Sequence, residues 1–355
     1  MIALEARPEA SRALALASPA LAIVLTLLAS AALIAALGRD PLSALHVYFV
    51  SPFLDGYSRA EILVKATPLA LMGAGLAISF RANVWNIGAA GQYTLGALAA
   101  GAVALAAPEA RSALWLAPYL AAGVAGGMLW AAAPALLRTR FGANEILVSL
   151  MLTYVAGLLL DWLVRGPWRS PLSFGFPQSR DFAEAFVLPV ILDGTRLHVG
   201  APAALLIAAA LALLMARTLR GFSVRVIGAS PRAGAFAGFG ESGTVWFALL
   251  LSGGLAGLAG AIEVGAVIGK IQPDIGASAG FTAIIVAFLG RLNPLGAVLG
   301  ALVLAVSVIG GENAQILLKL PKNVTGVFQG MLLFFLLACD VLIRWRVVWR
   351  RKGAA

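Results

Sequence analysis

Charge is scarce in this chain. Asp, Glu, Lys and Arg make up 12% of its 355 residues, where a soluble protein carries about a quarter. With 61% hydrophobic residues, that excludes a soluble globular domain and indicates a polytopic membrane protein. Cysteine occurs once, as Cys339 in an apolar run, so no intrachain disulfide forms. The two histidines, His46 and His198, stand far apart, and no metal set or catalytic triad can be assembled around them. No phosphate-binding Walker loop is present either. The chain is therefore read as no enzyme, with no cofactor bound directly. A cleavable signal peptide is not expected: the first apolar run is long, no convincing small-residue cleavage site follows it, and it reads as a retained span.

What fills the chain is apolar runs. A span needs about 20 apolar residues, and ten segments qualify or nearly so: 19–37, 62–80, 85–106, 113–137, 145–164, 200–216, 244–268, 279–290, 294–311 and 324–343. Segment 279–290 is short, and a break falls near Arg81–Asn86. The expected fold is all-α and polytopic, with about ten transmembrane helices, some short or broken, in a single permease domain over 1–355. Residues 1–18 form its N-terminus, 19–343 its core and 344–355 a basic tail.

Orientation follows from Lys and Arg. With the N-terminus inside, the whole net charge of +10 falls on the inner face and the outer face is neutral. That asymmetry explains the charge without nucleic acid, and it places both termini in the cytoplasm. The tail from Arg344 to Lys352 mixes Trp345 and Trp349 with five bases, which suits an anchor on anionic membrane lipids. Two long outer segments remain, 38–61 and 165–199. The second, rich in Pro and aromatics, is expected to lie on the membrane surface as a cap. It either meets an external protein or covers span ends.

Polar residues inside apolar runs are the candidates for chemistry. In Phe80–Tyr93, Asn83, Asn86 and Gln92 are amides near or within spans, and Gly88 and Gly91 interrupt the helix pattern. Non-helical backbone at membrane depth survives only inside protein or beside a water-filled cavity. Amides there suit a neutral polar solute, and Trp85 or Tyr93 suits a flat ring. Interhelical amide bonding is the competing reading. In Phe141–Tyr154, Asn144 and Glu145 start a helix, where the dipole favours an acid. Ser149 and Thr153, four apart, share a face and either line a path or bond between helices. In Leu251–Gly265, Gly253, Gly257 and Ala261 have the spacing that lets helices approach closely. Glu263 follows within the span, where an ionisable group faces a cavity or a partner, and Lys65 is its partner by charge.

One polar stretch is set apart. Residues 217–240 carry Arg217, Arg220, Arg225 and Arg232 with no acid before Glu241, and Gly221 and Gly228 punctuate it. Ser230 caps and Pro231 opens a short helix containing Gly234, Phe236 and Gly238. A helix this short and Gly-rich needs something to dock into. The stretch is either an ordinary basic loop or an element that couples to a cytoplasmic motor.

Taken in order, these segments resemble the permease subunits of bacterial ABC importers. The branch is the one with ribose and branched-chain amino acid permeases, and within it the nucleoside (basic-membrane-protein-associated) permeases. Asn86-Ile-Gly-Ala-Ala-Gly-Gln92 is similar to their Asn-Ile-Gly-x-Glu-Gly-Gln signature, and Asn144-Glu145 with Met151-Leu152 and Tyr154 to their Asn-Glu…Met-Leu-Asn-Tyr segment. Gly166-Pro167, Ser252–Glu263 and Ala287–Gly296 also fit. Ala90 stands where the family commonly has Glu, and Thr153 where it commonly has Asn.

The resemblance implies a permease in the bacterial inner membrane for a small polar solute, a nucleoside or nucleobase first and a simple sugar second. It implies a second permease, homologous or identical, and a periplasmic or lipid-anchored solute-binding protein. It also implies ATP-binding subunits that hold ATP and Mg and dock on 217–240. The rival from another class is an ion-coupled carrier using Glu263.

Overall fold

The computed structural model describes residues 2–6, 12–276, 278–321 and 323–349. In chain order the elements are β1 (Ile2–Ala6), α1 (Arg12–Ala36), α2 (Pro41–Phe49), α3 (Ser51–Leu54), α4 (Gly56–Arg81), α5 (Ala89–Ala106) and α6 (Leu116–Phe141). There follow α7 (Glu145–Arg165), α8 (Gly200–Arg217), α9 (Leu219–Ala229), α10 (Pro231–Phe236), α11 (Glu241–Glu263), α12 (Ala279–Leu289), α13 (Pro294–Leu318), α14 (Asn323–Arg344) and β2 (Trp345–Trp349). Among the described residues nine helices are long and apolar enough to cross a membrane. The tenth expected span is α12, whose 11 residues reach about 16 Å, half of a bilayer core. The chain is an all-α polytopic membrane protein, apart from the β1–β2 ribbon between its two ends.

Two compact units divide the chain. The first comprises Met1–Asp55 and Val306–Ala355. Here α1 packs on α14, and Ser18 Oγ donates to Asp340 at 2.8 Å. Asp40 caps α2 by accepting from Leu42 and Ser43 N–H, and its hydrogen bonds to Ser43 lower its pKa. Tyr48 stacks on Phe328 and shares a hydrogen bond with Thr325. In the basic tail, residues 350–352 lie outside the described residues.

The second unit, Gly56–Ala305, holds every polar constellation singled out above. Its axis is α4, buried along most of its length. Glycine sets how closely α5, α6 and α11 pack. Gly96 meets the backbone of Gly257, Gly257 that of Gly127, and Gly260 that of Tyr93, while Gly123 faces Ala261. At each of these a β-carbon would overlap a neighbour, so the expected Gly253–Gly257–Ala261 stripe is indeed a helix contact.

The cap at 166–199 covers span ends. Phe186 is buried against Tyr119, and Phe182 meets the same Tyr119 ring. Ser179 satisfies both backbone groups of Ile271, donating N–H to its carbonyl (2.8 Å) and accepting its N–H on Oγ (2.9 Å).

Candidate functional site

The break between α4 and α5 is the first part of the site. Residues 84–87 are not helical, yet Val84 and Asn86 are buried, so irregular backbone runs through the protein interior. Its polar groups are met one by one. Asn86 Nδ2 donates to Gln92 Oε1 (2.8 Å) and to Ser252 Oγ (2.8 Å). Asn86 Oδ1 accepts from Gln92 Nε2 (3.0 Å) and from Gly88 N–H (3.1 Å). Both donors and both acceptor positions of this amide are thus occupied. Trp85 N–H donates to Glu145 Oε1 (3.2 Å), and Ile87 N–H donates to Ser149 Oγ (3.2 Å). Glu145 is also paired with Arg138, which reaches Glu241 at 3.7 Å, and Asn144 caps α7 through Ile146 N–H.

The residues expected along a solute path therefore separate. Asn86, Gln92 and Ser149 are buried and engaged in holding the break together. Tyr93 is buried against Gly276. Thr153 bonds the Ser149 carbonyl and lies against Gly91. Asn83 is exposed, with φ +56°, and accepts from Trp85 Nε1 at 3.0 Å. Trp85, half-buried, stacks with Phe80 (5.1 Å) and lies 6.2 Å from Phe288, which joins the break to α12. Sequence reasoning missed Ser252 as the third member of the amide cluster. It also read Glu145 as a helix-dipole partner alone.

The second part lies at the other end of α11. Glu263 ends that helix and leads into a π-helical turn, Val264–Ile268, a geometry common at functional sites. Lys65 Nζ stands 3.5 Å from the Glu263 carboxylate, with 26% and 13% of the two side chains exposed. Four residues before Lys65 on the same helix, Glu61 receives two hydrogen bonds from Arg196, at 2.9 and 2.5 Å. Those bonds raise the Arg196 pKa above its ordinary value. His198 is buried beside them. Its Nδ1 accepts the Gly200 N–H (3.1 Å), and burial pushes its pKa down to about 4. The Glu61–Arg196 pair has no signal in the sequence, because its members are remote in the chain and sit in different kinds of segment.

The third part is the stretch from Arg217. It forms two helices where one was expected. Gly221 and Gly228 do not punctuate it: they lie within α9, facing the backbones of Leu214–Met215 and of Arg81–Ala82. The short helix α10 begins as read, with Ser230 accepting from Ala233 N–H and Pro231 at the first position. Gly238 follows it with φ +81°. Arg217, Arg220 and Arg232 are exposed, and Phe236 is 97% exposed. Gly234 faces inward onto Ile227, and Arg225 donates to the Met215 carbonyl. Gly234 thus seats α10 on α9 and Arg225 ties α9 to α8, and neither faces outward.

Comparison with known proteins gives these parts a common frame. Residues 58–337 match the family described as branched-chain amino acid transport system / permease component. The chain is 34% identical to the glucose ABC transporter permease TsgB13 of Haloferax volcanii, over 96% of this chain and 92% of that one. It is 29% identical to the guanosine ABC transporter permease NupP of Bacillus subtilis, over 95% and 97%. With the nucleoside ABC transporter permease NupB of Lactococcus lactis subsp. cremoris it shares 24%, over 90% and 89%. The break, the glycine-packed helices and both ion-pair clusters all fall inside the matched region, and the chain belongs to the family of branched-chain amino acid transport system permease components.

Proposed function

We propose that this chain is the membrane-spanning permease subunit of an ATP-driven ABC importer for a small polar solute, a nucleoside or nucleobase. The observation that carries this reading is the end-to-end match to guanosine and nucleoside permeases. ATP and Mg are held by partner ATPase subunits, and those subunits engage α10 and the exposed arginines around it. A second permease, homologous or identical, completes the pore, and a periplasmic or lipid-anchored binding protein delivers solute. The assembly sits in the bacterial inner (plasma) membrane with both termini of this chain cytoplasmic.

The geometry suggests how force is passed on. Phe236 and Arg232 project from α10, while Gly234 seats α10 on Ile227 of α9. In turn Gly228 seats α9 on Arg81–Ala82, where the buried break begins. A displacement of α10 by a motor subunit therefore reaches the start of the Trp85–Asn86 break through these two glycine contacts.

A simple sugar is the second reading, favoured by the 34% identity to a glucose permease. An ion-coupled carrier using Glu263 ranks below both, because Glu263 already has Lys65 as its counter-charge. One experiment separates the three. The tagged protein is isolated from its native membrane in mild detergent, its companions are identified, and the complex is reconstituted with radiolabelled guanosine or glucose. A copurifying ATPase and ATP-dependent guanosine uptake are expected. Glucose uptake alone selects the sugar reading. Uptake by this chain alone without ATP overturns the importer reading.

A further inference from the structure

The connection between α11 and α12 is irregular and lies deep. Gly101 of α5 touches Ile271, Thr94 Oγ1 of α5 donates to the Ile275 carbonyl (3.2 Å), and the Tyr93 ring covers Gly276. Residues 271–276 thus descend beside two turns of α5, about 12 Å, within an apolar span. Gly280 then abuts Ala90, and α12 starts there. Backbone of this kind is tolerated at membrane depth only against protein or beside water. One side meets that condition: Ile271 and Ile275 are buried against the cap and α5.

The other side is polar and open. Gln272, Asp274 and Ser278 are all exposed. Asp274 holds the left-handed conformation, φ +61°, which is uncommon outside glycine and recurs at functional sites. Among the described residues its carboxylate has no hydrogen-bond or ion-pair partner. A carboxylate facing acyl chains is costly, and such groups face a water-filled path or a neighbouring subunit. The other polar groups within the spans, Asn86 with Gln92 and Ser252, Glu145 with Arg138, and Glu263 with Lys65, are already committed to internal bonds.

We infer that residues 271–276 line the solute route, and that Asp274, flanked by Gln272 and Ser278, binds the solute. Its carboxylate accepts hydroxyl or N–H groups of an uncharged, hydroxyl-rich molecule, which a ribonucleoside and a hexose both supply. The inference rests on the transport reading above and places the contacts on a segment apart from the Asn86–Gln92 cluster.

The test uses the assembled transporter in proteoliposomes. Cys339 is the sole cysteine, so Cys339→Ala gives a thiol-free background for Gln272→Cys and Ser278→Cys. A charged, membrane-impermeant methanethiosulfonate is expected to label both, and guanosine with its loaded binding protein to slow labelling at least threefold. Asp274→Asn is expected to lower the maximal uptake rate about tenfold, the scale of one charged hydrogen bond, and to abolish that protection. Asp274→Glu restores part of both.

Absence of labelling, labelling indifferent to solute, or an unchanged rate in Asp274→Asn overturns the inference. If the parent protein transports neither guanosine nor glucose, the substrate reading fails instead. Labelling by the reagent alone then decides whether the segment lines an aqueous route.

Discussion

Gly228 of α9 lies against the carbonyl of Arg81 so closely that a β-carbon would overlap it. This contact joins the arginine-rich stretch to the start of the buried break. Gly228→Ala is expected to force the two apart at a cost of about 1–3 kcal/mol, the range for overpacking. ATP hydrolysis by the assembled complex should persist while solute uptake falls severalfold. Parallel measurement of both rates checks it, and equal loss of the two would place the damage in assembly.

Phe236 contributes nothing to the fold of its own unit, being 97% exposed. Phe236→Ala should leave thermal unfolding in detergent unchanged. Aromatic anchors in interfaces are worth about 2 kcal/mol or more, so ATPase capture in a quantitative pulldown should weaken roughly thirtyfold. Retention of full affinity would remove α10 from the docking surface.

Asn86 is saturated by Gln92, Ser252 and Gly88. Asn86→Ala leaves Gln92 and Ser252 buried without their partner, and should destabilise the protein by about 1–3 kcal/mol. The midpoint of thermal unfolding should drop, and solute should not recover it. An unshifted midpoint would mean that water or a rearranged Gln92 replaces the amide.

The pair Lys65–Glu263 calls for a double-mutant cycle. Lys65→Met leaves the carboxylate of Glu263 only 13% exposed and unpaired, at a cost of about 2 kcal/mol, below the 3–5 kcal/mol of a fully buried pair. Adding Glu263→Gln should recover most of that stability. Restored uptake in the double variant would make the pair structural. Uptake that stays low at full stability would give it a direct part in transport.

His198 predicts an acid sensitivity of known sign. Its folded pKa of about 4 lies below the ordinary 6.5 because burial disfavours the charged ring, and its Nδ1 must stay unprotonated to accept the Gly200 N–H. The unfolded chain therefore takes up a proton that the folded chain refuses. Stability should be full above pH 6.5 and decline as pH falls toward 4, by roughly 2–3 kcal/mol. His198→Gln should flatten the unfolding midpoint across that window, and an unaltered slope would assign the sensitivity to other groups.

Legibility from sequence divides along the range of the interactions. The start of α10 is legible because capping is local: Ser230 accepts the N–H of Ala233, three residues on, and Pro231 loses no donor. The Gly253–Gly257–Ala261 contact is legible because its period belongs to one helix. Gly221 and Gly228 mislead, since their reason is a neighbouring backbone that the local sequence does not contain. Asn86 and Gln92 are visible as polar residues in an apolar run. Their mutual saturation, with Ser252 as the third partner, depends on α11 coming alongside. Asp274 is the hardest case: Gln272-Pro-Asp-Ile-Gly276 looks like any surface turn until its depth beside α5 is known.

The backbone-to-backbone seams through Gly96, Gly123, Gly127, Gly253, Gly257 and Gly260 have a mechanical meaning. Side chains that interdigitate can change rotamer and let two helices slide. Bare peptide planes in contact have no such slack, and any slip of a residue brings a methyl group into a carbonyl. Helices α5, α6 and α11 therefore behave as a single block, stiffer than the membrane around them. Whatever movement a transport cycle demands must be taken up where helical bonding is missing. Two such joints in this unit are the break after Arg81 and the descent after Gly269.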